Sequence, residues 1–115
     1  MTESMYEISY EKDRDALIVR LPKEVDHHFS QGLKEVTESY AVMGQVRCII
    51  FDFARTEFMD STGIGILLGR YKFMRALGGT IALANVSGRI QRILKIAGIY
   101  RIIPNLEWDM KEQQG

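Results

Sequence analysis

The sequence predicts a single α/β domain, in which a mostly parallel sheet begins with an antiparallel hairpin and carries helices packed on it. Three observations support this fold class. Short β-branched, apolar segments alternate with longer segments whose apolar residues recur every three or four positions. The order of these segments is β-β-α-β-α-β-α-β, and helical crossovers between strands produce parallel pairing. The chain has 115 residues and is 46% hydrophobic, which is sufficient for one compact core.

The N-terminal part is predicted to contain a hairpin and a helix. Residues 5–10 alternate between apolar and polar, residues 16–21 are β-branched and apolar, and the charged stretch between them suits a hairpin turn. Pro22 ends the second strand. The helix that follows has Asp26 or Ser30 as its candidate N-cap. Its predicted buried face consists of apolar residues at helical spacing, namely Phe29, Leu33, Val36, Tyr40 and Met43.

The central strand is predicted at residues 46–53, because a near-continuous apolar run is typical of a strand buried on both faces. Cys48 within this run is interpreted as a small core residue rather than as a nucleophile. Asp52, near the end of the run, is interpreted as a cap of the following loop, with a catalytic role as the alternative.

Residues 58–79 form the segment around which the chain is organised, a strand end followed by a long amphipathic helix. Asp60 and Ser61 stand where a short side-chain oxygen accepts hydrogen bonds from the first free N–H groups of a helix. Gly65 and Gly69 lie on one face and weaken the helix by roughly 1 kcal/mol each relative to alanine, which predicts that another backbone packs closely there. The predicted inner face consists of Ile64, Leu67, Leu68, Tyr71, Met74 and Leu77.

The C-terminal part is predicted to contain strands at residues 80–84 and 99–103, with a third helix between them. Ser87 is the candidate N-cap of that helix, and its inner face consists of Ile90, Ile93, Leu94 and Ala97. Residues 1–115 are thus expected to form one domain, with an ordered core over about residues 5–104. Residues 105–115 are expected to be a polar tail, either a short helix or a frayed end.

The composition of the chain predicts where in the cell the protein resides. No apolar run approaches the roughly 18 residues that a membrane span requires, and the N-terminus lacks the layout of a signal peptide. The single Cys48 excludes an intramolecular disulfide. These features predict a cytoplasmic protein without a membrane partner.

The neutral net charge conceals an uneven distribution of charges. Residues 1–60 contain seven Lys/Arg and twelve Asp/Glu, whereas residues 61–106 contain seven Lys/Arg and no acid. The pattern predicts positive outer faces on the second and third helices that dock on an acidic patch of a partner, with ordinary solvated faces as the alternative. The cations concerned are Arg70, Lys72, Arg75, Arg89, Arg92 and Lys95. Nucleic acid is not the expected partner, since aromatic residues are sparse in this stretch.

Asp26, His27 and His28 form the one cluster that suggests metal binding or acid–base chemistry. Adjacent histidines on a loop rarely converge on one ion, and no further ligating cluster lies at a suitable spacing. We therefore predict no metal and no cofactor, and we interpret these residues as exposed loop residues for contact or capping. The chain has no phosphate-binding loop and no nucleophile elbow, so an enzyme would have to use Ser61 with His27 or His28 as its base.

Three short motifs carry a resemblance to a known family. DSTG at residues 60–63 follows a hydrophobic strand and opens a helix, EVDHH occupies residues 24–28, and GRYK occupies residues 69–72. DSTG resembles the phosphorylation motif D-S-[ST]-G of the STAS-domain anti-sigma factor antagonists. The three motifs together resemble the sporulation members of that family. The similarity continues through residues 90–103 and so covers most of the chain.

The resemblance implies a partner switch rather than catalysis. In that family the unphosphorylated antagonist binds an anti-sigma factor and frees the sigma factor. The anti-sigma factor is also a serine kinase that binds ATP and inactivates the antagonist by phosphorylating the residue that matches Ser61, and a PP2C-type phosphatase reverses the modification. The free antagonist is expected to be a monomer. Together with the charge pattern, the resemblance predicts partner contacts at Asp26, His27, His28, Asp60, Ser61, Thr62, Gly63 and Arg70.

Two departures from the family pattern bear on this interpretation. Lys23 stands where the family usually has a glycine before the motif glutamate, which would alter the loop or its partner preference. Thr62 follows the acceptor where the sporulation members have serine, so a second hydroxyl adjoins Ser61. The alternative interpretation is a STAS binding or scaffold module, in stress response or another signalling complex, that no kinase modifies.

Overall fold

The computed structural model describes residues 7–43, 46–103 and 107–108. Seven strands lie in this part of the chain: β1 (Glu7–Glu11), β2 (Ala16–Arg20), β3 (Glu24–Val25), β4 (Cys48–Asp52), β5 (Phe58–Met59), β6 (Thr80–Ala84) and β7 (Glu107–Trp108). The α-helices of the same part are α1 (His27–Val42), α2 (Ser61–Ala76), α3 (Gly88–Ile96) and α4 (Ile99–Ile102). The predicted alternation of strands and helices is therefore present, with the short strands β3 and β5 added to it.

A five-stranded mixed sheet in the order β1-β2-β4-β6-β7 forms the centre of the fold. β1 and β2 are antiparallel, and the other neighbouring pairs are parallel. The hairpin turns through a short 3-10 helix, Lys12–Arg14, and through Asp15, whose φ of 52° is left-handed. The predicted fold class is confirmed.

The central strand β4 is buried on both faces, as its apolar run predicts. Ile49 and Phe51 belong to the main hydrophobic core, to which α1, α2 and α3 also contribute side chains. Ile50 points to the opposite face, where it packs in a smaller cluster with Ile18 and three alanines. Cys48 is half-buried beside that smaller cluster, in agreement with its interpretation as a small core residue.

The strand predicted at residues 99–103 is wrong, since Ile99–Ile102 forms α4. Gly98 has a left-handed φ of 77°, which allows this helical turn to begin directly after α3. Ile99 and Ile103 are both fully buried, and the N–H of Ile103 donates to the carbonyl of Ile99 at 2.8 Å. The last strand is instead β7, which pairs in parallel with β6 and lies where the sequence suggests a short helix or a frayed end.

The buried face of α1 departs from the prediction towards its C-terminal end. Phe29 and Leu33 are buried, and the stripe continues at four-residue intervals through Thr37 and Ala41. Thr37 is accommodated there because its hydroxyl donates to the carbonyl of Leu33 at 2.8 Å. The predicted inner position of Met43 is wrong, since this residue is 71% exposed.

The buried face of α2 also contains residues that the apolar pattern does not mark. Its buried residues are Gly63, Leu67, Arg70 and Met74. Leu77 lies beyond the end of the helix and is 56% exposed, so its predicted place on the inner face is wrong. A glycine and an arginine thus join the buried face of α2, and both matter for the site described next.

Candidate functional site

Two short strands outside the main sheet hold the starts of α1 and α2 side by side. β3 and β5 pair in parallel, with Val25 opposite Met59. The N–H of Asp60 continues this ladder by donating to the carbonyl of Val25 at 3.5 Å. One residue separates each strand from the helix that follows it, so Asp26 and Asp60 occupy equivalent positions at the two helix starts.

The residues Asp26, His27 and His28 lie differently from the prediction. The backbone of His27 and His28 forms the first turn of α1, so their assignment to a loop is wrong. Asp26 directly precedes the helix, and its carbonyl accepts a hydrogen bond from the N–H of Phe29 at 3.2 Å. Of the two candidate caps, Asp26 has the N-cap position, whereas Ser30 lies inside the helix. The side chains of the two histidines lie outside the described part of the structure.

Asp60 is the N-cap of α2, as its position in the sequence predicts. Its backbone is extended, and its carboxylate oxygen Oδ1 accepts a hydrogen bond from the N–H of Gly63 at 3.1 Å. Its carbonyl accepts the first intrahelical bond, from the N–H of Ile64 at 3.2 Å. The side-chain bond satisfies the N–H of Gly63, which is one of the N–H groups in the first turn that have no intrahelical partner.

Gly63 allows α2 to pack closely against the β3–β5 pair. A Cβ atom at this position would lie 2.6 Å from Cγ of Met59, 3.0 Å from Cγ1 of Val25 and 3.3 Å from the carbonyl oxygen of Val25. The first distance is far shorter than van der Waals contact, so no larger residue fits without movement of its neighbours. Glycine is therefore required here by close approach rather than by backbone conformation.

Ser61 is the first residue of α2, and its side chain is exposed. The free N–H groups and the dipole of this 16-residue helix make its N-terminus partially positive. Asp60 directly precedes Ser61, and Thr62, which is half-buried, follows it. The arrangement presents an accessible hydroxyl beside a fixed carboxylate, at a helix end that accommodates added negative charge.

Arg70 does not lie on the outer face of α2, and this prediction is wrong. The residue is 7% exposed, and its guanidinium donates to Oε2 of Glu38 and to Oγ1 of Thr37, each at 3.2 Å. The guanidinium also lies over the ring of Phe73, 4.9 Å from its centroid. Arg70 therefore joins α2 to α1 through a largely buried ion pair instead of adding to a surface field.

The other cations of this stretch do have exposed side chains. They are Lys72 and Arg75 on α2 and Arg89, Arg92 and Lys95 on α3. Arg75 lies over the ring of Tyr71 and donates to its hydroxyl at 3.4 Å. The predicted positive outer faces thus remain without the contribution of Arg70.

A groove lies between α1 and α2, and Thr62, the residue after Ser61, is part of its lining. It has a volume of about 350 Å³ and is lined by Leu33, Lys34, Thr62, Gly65, Ile66, Gly69 and Arg70. A Cβ atom added to Gly65 or to Gly69 would have no atom of the described residues within 4 Å apart from the adjoining backbone of α2 itself. The prediction that another backbone packs against these glycines is therefore wrong for the described part of the chain. The sequence indicates that Gly65 and Gly69 lie on one face of the helix, but it contains no signal for the groove beside them.

Asp52 and Cys48, the two other residues considered for chemistry, have structural explanations. The buried carboxylate of Asp52 accepts hydrogen bonds through Oδ1 from the backbone N–H of Ala54 and from Nδ2 of Asn85, both at 2.9 Å, as its interpretation as a loop cap predicts. Burial raises the pKa of the Cys48 thiol to about 11. Among the residues that the structure describes, no group of three metal-ligating side chains is present, and no helix is long and apolar enough to cross a membrane.

The fold and the sequence together define the class of this protein. Residues 7–113 match the STAS domain, and the chain therefore belongs to the STAS family. It is 36% identical to the anti-sigma F factor antagonist of Paenibacillus polymyxa over 98 residues, which cover 85% of this chain and 84% of the relative. It is 30% identical to the anti-sigma-B factor antagonist of Listeria monocytogenes over 102 residues, which cover 87% and 89% of the two chains.

Solved structures give the same result. The anti-sigma factor antagonist SpoIIAA in its unphosphorylated form matches with a TM-score of 0.79 at 28% identity, over 95% of this chain and 90% of that one. The Bacillus cell fate determinant SpoIIAA in its phosphorylated form matches with a TM-score of 0.73, also at 28% identity, over 95% and 94% of the two chains. The predicted resemblance to the anti-sigma factor antagonists is confirmed, and the relatives named here are regulators rather than enzymes.

Proposed function

We propose that this protein is an anti-sigma factor antagonist that acts as a phosphorylation-controlled partner switch. The unphosphorylated form binds an anti-sigma factor and releases a sigma factor. The anti-sigma factor, acting as a kinase with its own bound ATP, phosphorylates Ser61 and ends the interaction, and a PP2C-type phosphatase restores the binding form. The observation that carries the proposal is the exposed hydroxyl of Ser61 directly after the N-cap Asp60. Relatives named as antagonists, one of them solved in both phosphorylation states, support it.

The helix start explains how the fold tolerates the modification. A phosphoserine carries about −1.5 to −2 charges at neutral pH. At the N-terminus of α2 the helix dipole favours this charge, and no acid lies in the first turn of the helix itself. Phosphorylation is therefore expected to leave the stability of the fold nearly unchanged.

The effect of phosphorylation then falls on the complex. A docked partner would remove water from the phosphate and would hold it next to the carboxylate of Asp60. Like charges brought together in an interface cost several kcal/mol, and each 1.4 kcal/mol changes affinity about tenfold. A tight complex would thus become a negligible one without any change in the conformation of the antagonist.

The docking surface is centred on the two helix starts that β3 and β5 hold together. Its proposed members are Asp26, His27 and His28 at the start of α1, and Asp60, Ser61, Thr62 and Gly63 at the start of α2. Both starts lie on one edge of the domain because their strands pair in register. A partner that presents a kinase active site to Ser61 would therefore also cover Asp26. Gly63 contributes by its close packing rather than by a side chain.

Phosphorylation by the cognate kinase and ATP tests the proposal directly. Intact-protein and peptide mass spectrometry should find one phosphate on Ser61, none on a Ser61→Ala variant, and an unchanged level on a Thr62→Val variant. Ser61→Asp should bind the anti-sigma factor poorly while its thermal unfolding stays close to that of the wild type, because a carboxylate is tolerated at this helix end. Phosphorylation that persists in the Ser61→Ala variant would identify Thr62 as the acceptor instead. Binding without any phosphorylation would favour a scaffold module.

The contact role of Asp26 has its own test. Asp26→Ala should weaken binding to the anti-sigma factor with little loss of fold stability. Asp13→Ala is the matched control, since Asp13 is an exposed carboxylate in the hairpin turn. A large loss of stability without a binding defect would make Asp26 a structural cap instead.

A further inference from the structure

The groove between α1 and α2 is open space among the described residues, and two helical glycines border it. Gly65 and Gly69 open onto it, and glycine inside a helix is less stable than alanine by roughly 1 kcal/mol. Apart from the adjoining backbone of α2, no atom of the described residues lies within 4 Å of a Cβ built on either residue, so their packing does not require glycine at these positions. The volume of about 350 Å³ lies in the range of about 300–1,000 Å³ that is typical of ligand pockets.

Arg70 indicates the chemistry of what fills this groove. A guanidinium has about five N–H donors, and one bond to Thr37 and one to Glu38 leave about three of them without an acceptor among the described residues. The residue is nevertheless 7% exposed and lines the groove. Buried donors without partners are unfavourable, and the planar guanidinium fork matches the two oxygens of a carboxylate.

The other polar residues along the groove are consistent with an anionic ligand. Lys34 contributes an exposed ammonium group, and Thr62 contributes a hydroxyl close to Ser61. Among the described residues that line the groove there is no aspartate or glutamate, and the nearby carboxylate of Glu38 is already paired with Arg70 at 3.2 Å. Leu33 and Ile66 provide apolar surface for the stem of an incoming side chain.

We propose that this groove binds an aspartate or glutamate side chain of the protein partner, whose carboxylate accepts hydrogen bonds from Arg70 and is attracted by Lys34. The occupant is a side chain of that partner because Thr62 lies at the groove next to Ser61, so a protein that reaches Ser61 also covers the groove. The glycines allow the backbone of the partner to approach α2 closely. This inference rests on the proposed function, since the partner is the anti-sigma factor that phosphorylates Ser61.

Filling the groove tests the inference without disturbing Arg70. Gly65→Leu and Gly69→Leu place side chains in the empty space, and both variants should melt at or above the temperature of the wild type because glycine is removed from a helix. Their affinity for the cognate anti-sigma factor, measured by calorimetry, should fall about tenfold or more, as expected when a buried anchor is blocked. Gly88→Leu on α3 is the matched control, because its added side chain also meets open space and should change affinity by less than about twofold.

Charge reversal at Lys34 tests whether the side chain that enters the groove carries a carboxylate. Lys34→Glu should weaken binding several-fold more than Lys12→Glu, which makes the same change on the exposed hairpin turn. Unchanged affinity of both leucine variants would overturn the inference while the proposed function stands. Weak binding of the leucine variants with no effect of Lys34→Glu would contradict a carboxylate as the occupant of the groove. It would indicate an apolar side chain of the partner there instead. A wild-type protein that does not bind the anti-sigma factor would overturn the proposed function, and the inference with it.

Discussion

Val25 and Met59 are register partners in the β3–β5 pair, and both lie against Gly63 in the first turn of α2. This contact links the two motifs that the sequence presents far apart, EVDHH at residues 24–28 and DSTG at residues 60–63. The position of the Ser61 hydroxyl relative to Asp26 therefore depends on how closely the start of α2 approaches two short strands.

Gly63→Ala should destabilise the protein, whereas Gly65→Ala should stabilise it. A methyl group at Gly63 would lie 2.6 Å from Cγ of Met59, and overpacking of this kind costs about 1–3 kcal/mol. The same methyl group at Gly65 meets no atom within 4 Å and should gain about 0.5–1 kcal/mol through helix propensity. Urea unfolding followed by circular dichroism measures both free energies of unfolding. Equal effects of the two substitutions would contradict the close packing of Gly63.

The sequence predicts the parts of this fold whose signals extend over many residues. The hairpin, the strand β4 and the helix α2 each contain a long apolar pattern, and the caps Asp60 and Ser87 stand directly before such patterns. β3 and β5 contain two residues each, which is too short for any periodicity. The strand pair that joins the two helix starts could therefore not be predicted from the apolar pattern.

The errors in the candidate site have identifiable physical causes. The charge of Arg70 suggests a surface position, although its spacing from Gly63, Leu67 and Met74 places it on the buried stripe of α2. Its partner Glu38 lies on α1, and single-helix periodicity contains no information on contacts between helices. The five residues at 99–103 are apolar enough for a strand, and only the left-handed Gly98 indicates a new helical turn.

The two N-caps allow stability to be separated from function. Asp60→Ala removes the acceptor of the Gly63 N–H at 3.1 Å, and Ser87→Ala removes the acceptor of the Ile90 N–H at 3.2 Å. Each loss should cost about 1 kcal/mol of unfolding free energy. Only Asp60→Ala should also change the rate at which the kinase phosphorylates Ser61, measured by mass spectrometry over time. Equal phosphorylation rates in the two variants would mean that Asp60 only caps α2 and does not contribute to recognition by the kinase.

The ion pair between Arg70 and Glu38 should respond asymmetrically to truncation. Glu38→Ala leaves a cation that is 7% exposed without its carboxylate and should cost about 3 kcal/mol. Arg70→Met should cost less, about 1 kcal/mol, because the side chain of Glu38 is 35% exposed and regains water. Glu35→Ala, an exposed carboxylate on the same helix, should change stability by less than about 0.5 kcal/mol. A larger loss from Arg70→Met than from Glu38→Ala would contradict the burial of the charge.

Cys48 should make stability fall at alkaline pH. Burial raises the pKa of its thiol to about 11 from an ordinary value near 9.0. Between these values the unfolded chain loses the thiol proton while the folded chain keeps it, so the free energy of unfolding decreases as pH rises from 9 to 11. Cys48→Ala should flatten this part of the profile relative to the wild type. Slow reaction of the native thiol with a disulfide reagent at pH 8 is the complementary measurement, and rapid labelling would contradict the raised pKa.

Lys72 and Arg75 are the exposed cations of the helix that begins at Ser61, and with Arg70 buried they are the residues of α2 that produce its positive field. Changing both to glutamate should slow association with the anti-sigma factor more than it speeds dissociation, because surface charges act mainly through steering. The wild-type association rate should fall as salt rises, since the Debye length is about 8 Å at physiological ionic strength. Lys12→Glu with Arg14→Glu makes the same charge change on the hairpin turn and should have a smaller effect. Stopped-flow rates that respond to neither salt nor the reversal at Lys72 and Arg75 would make this face an ordinary solvated surface.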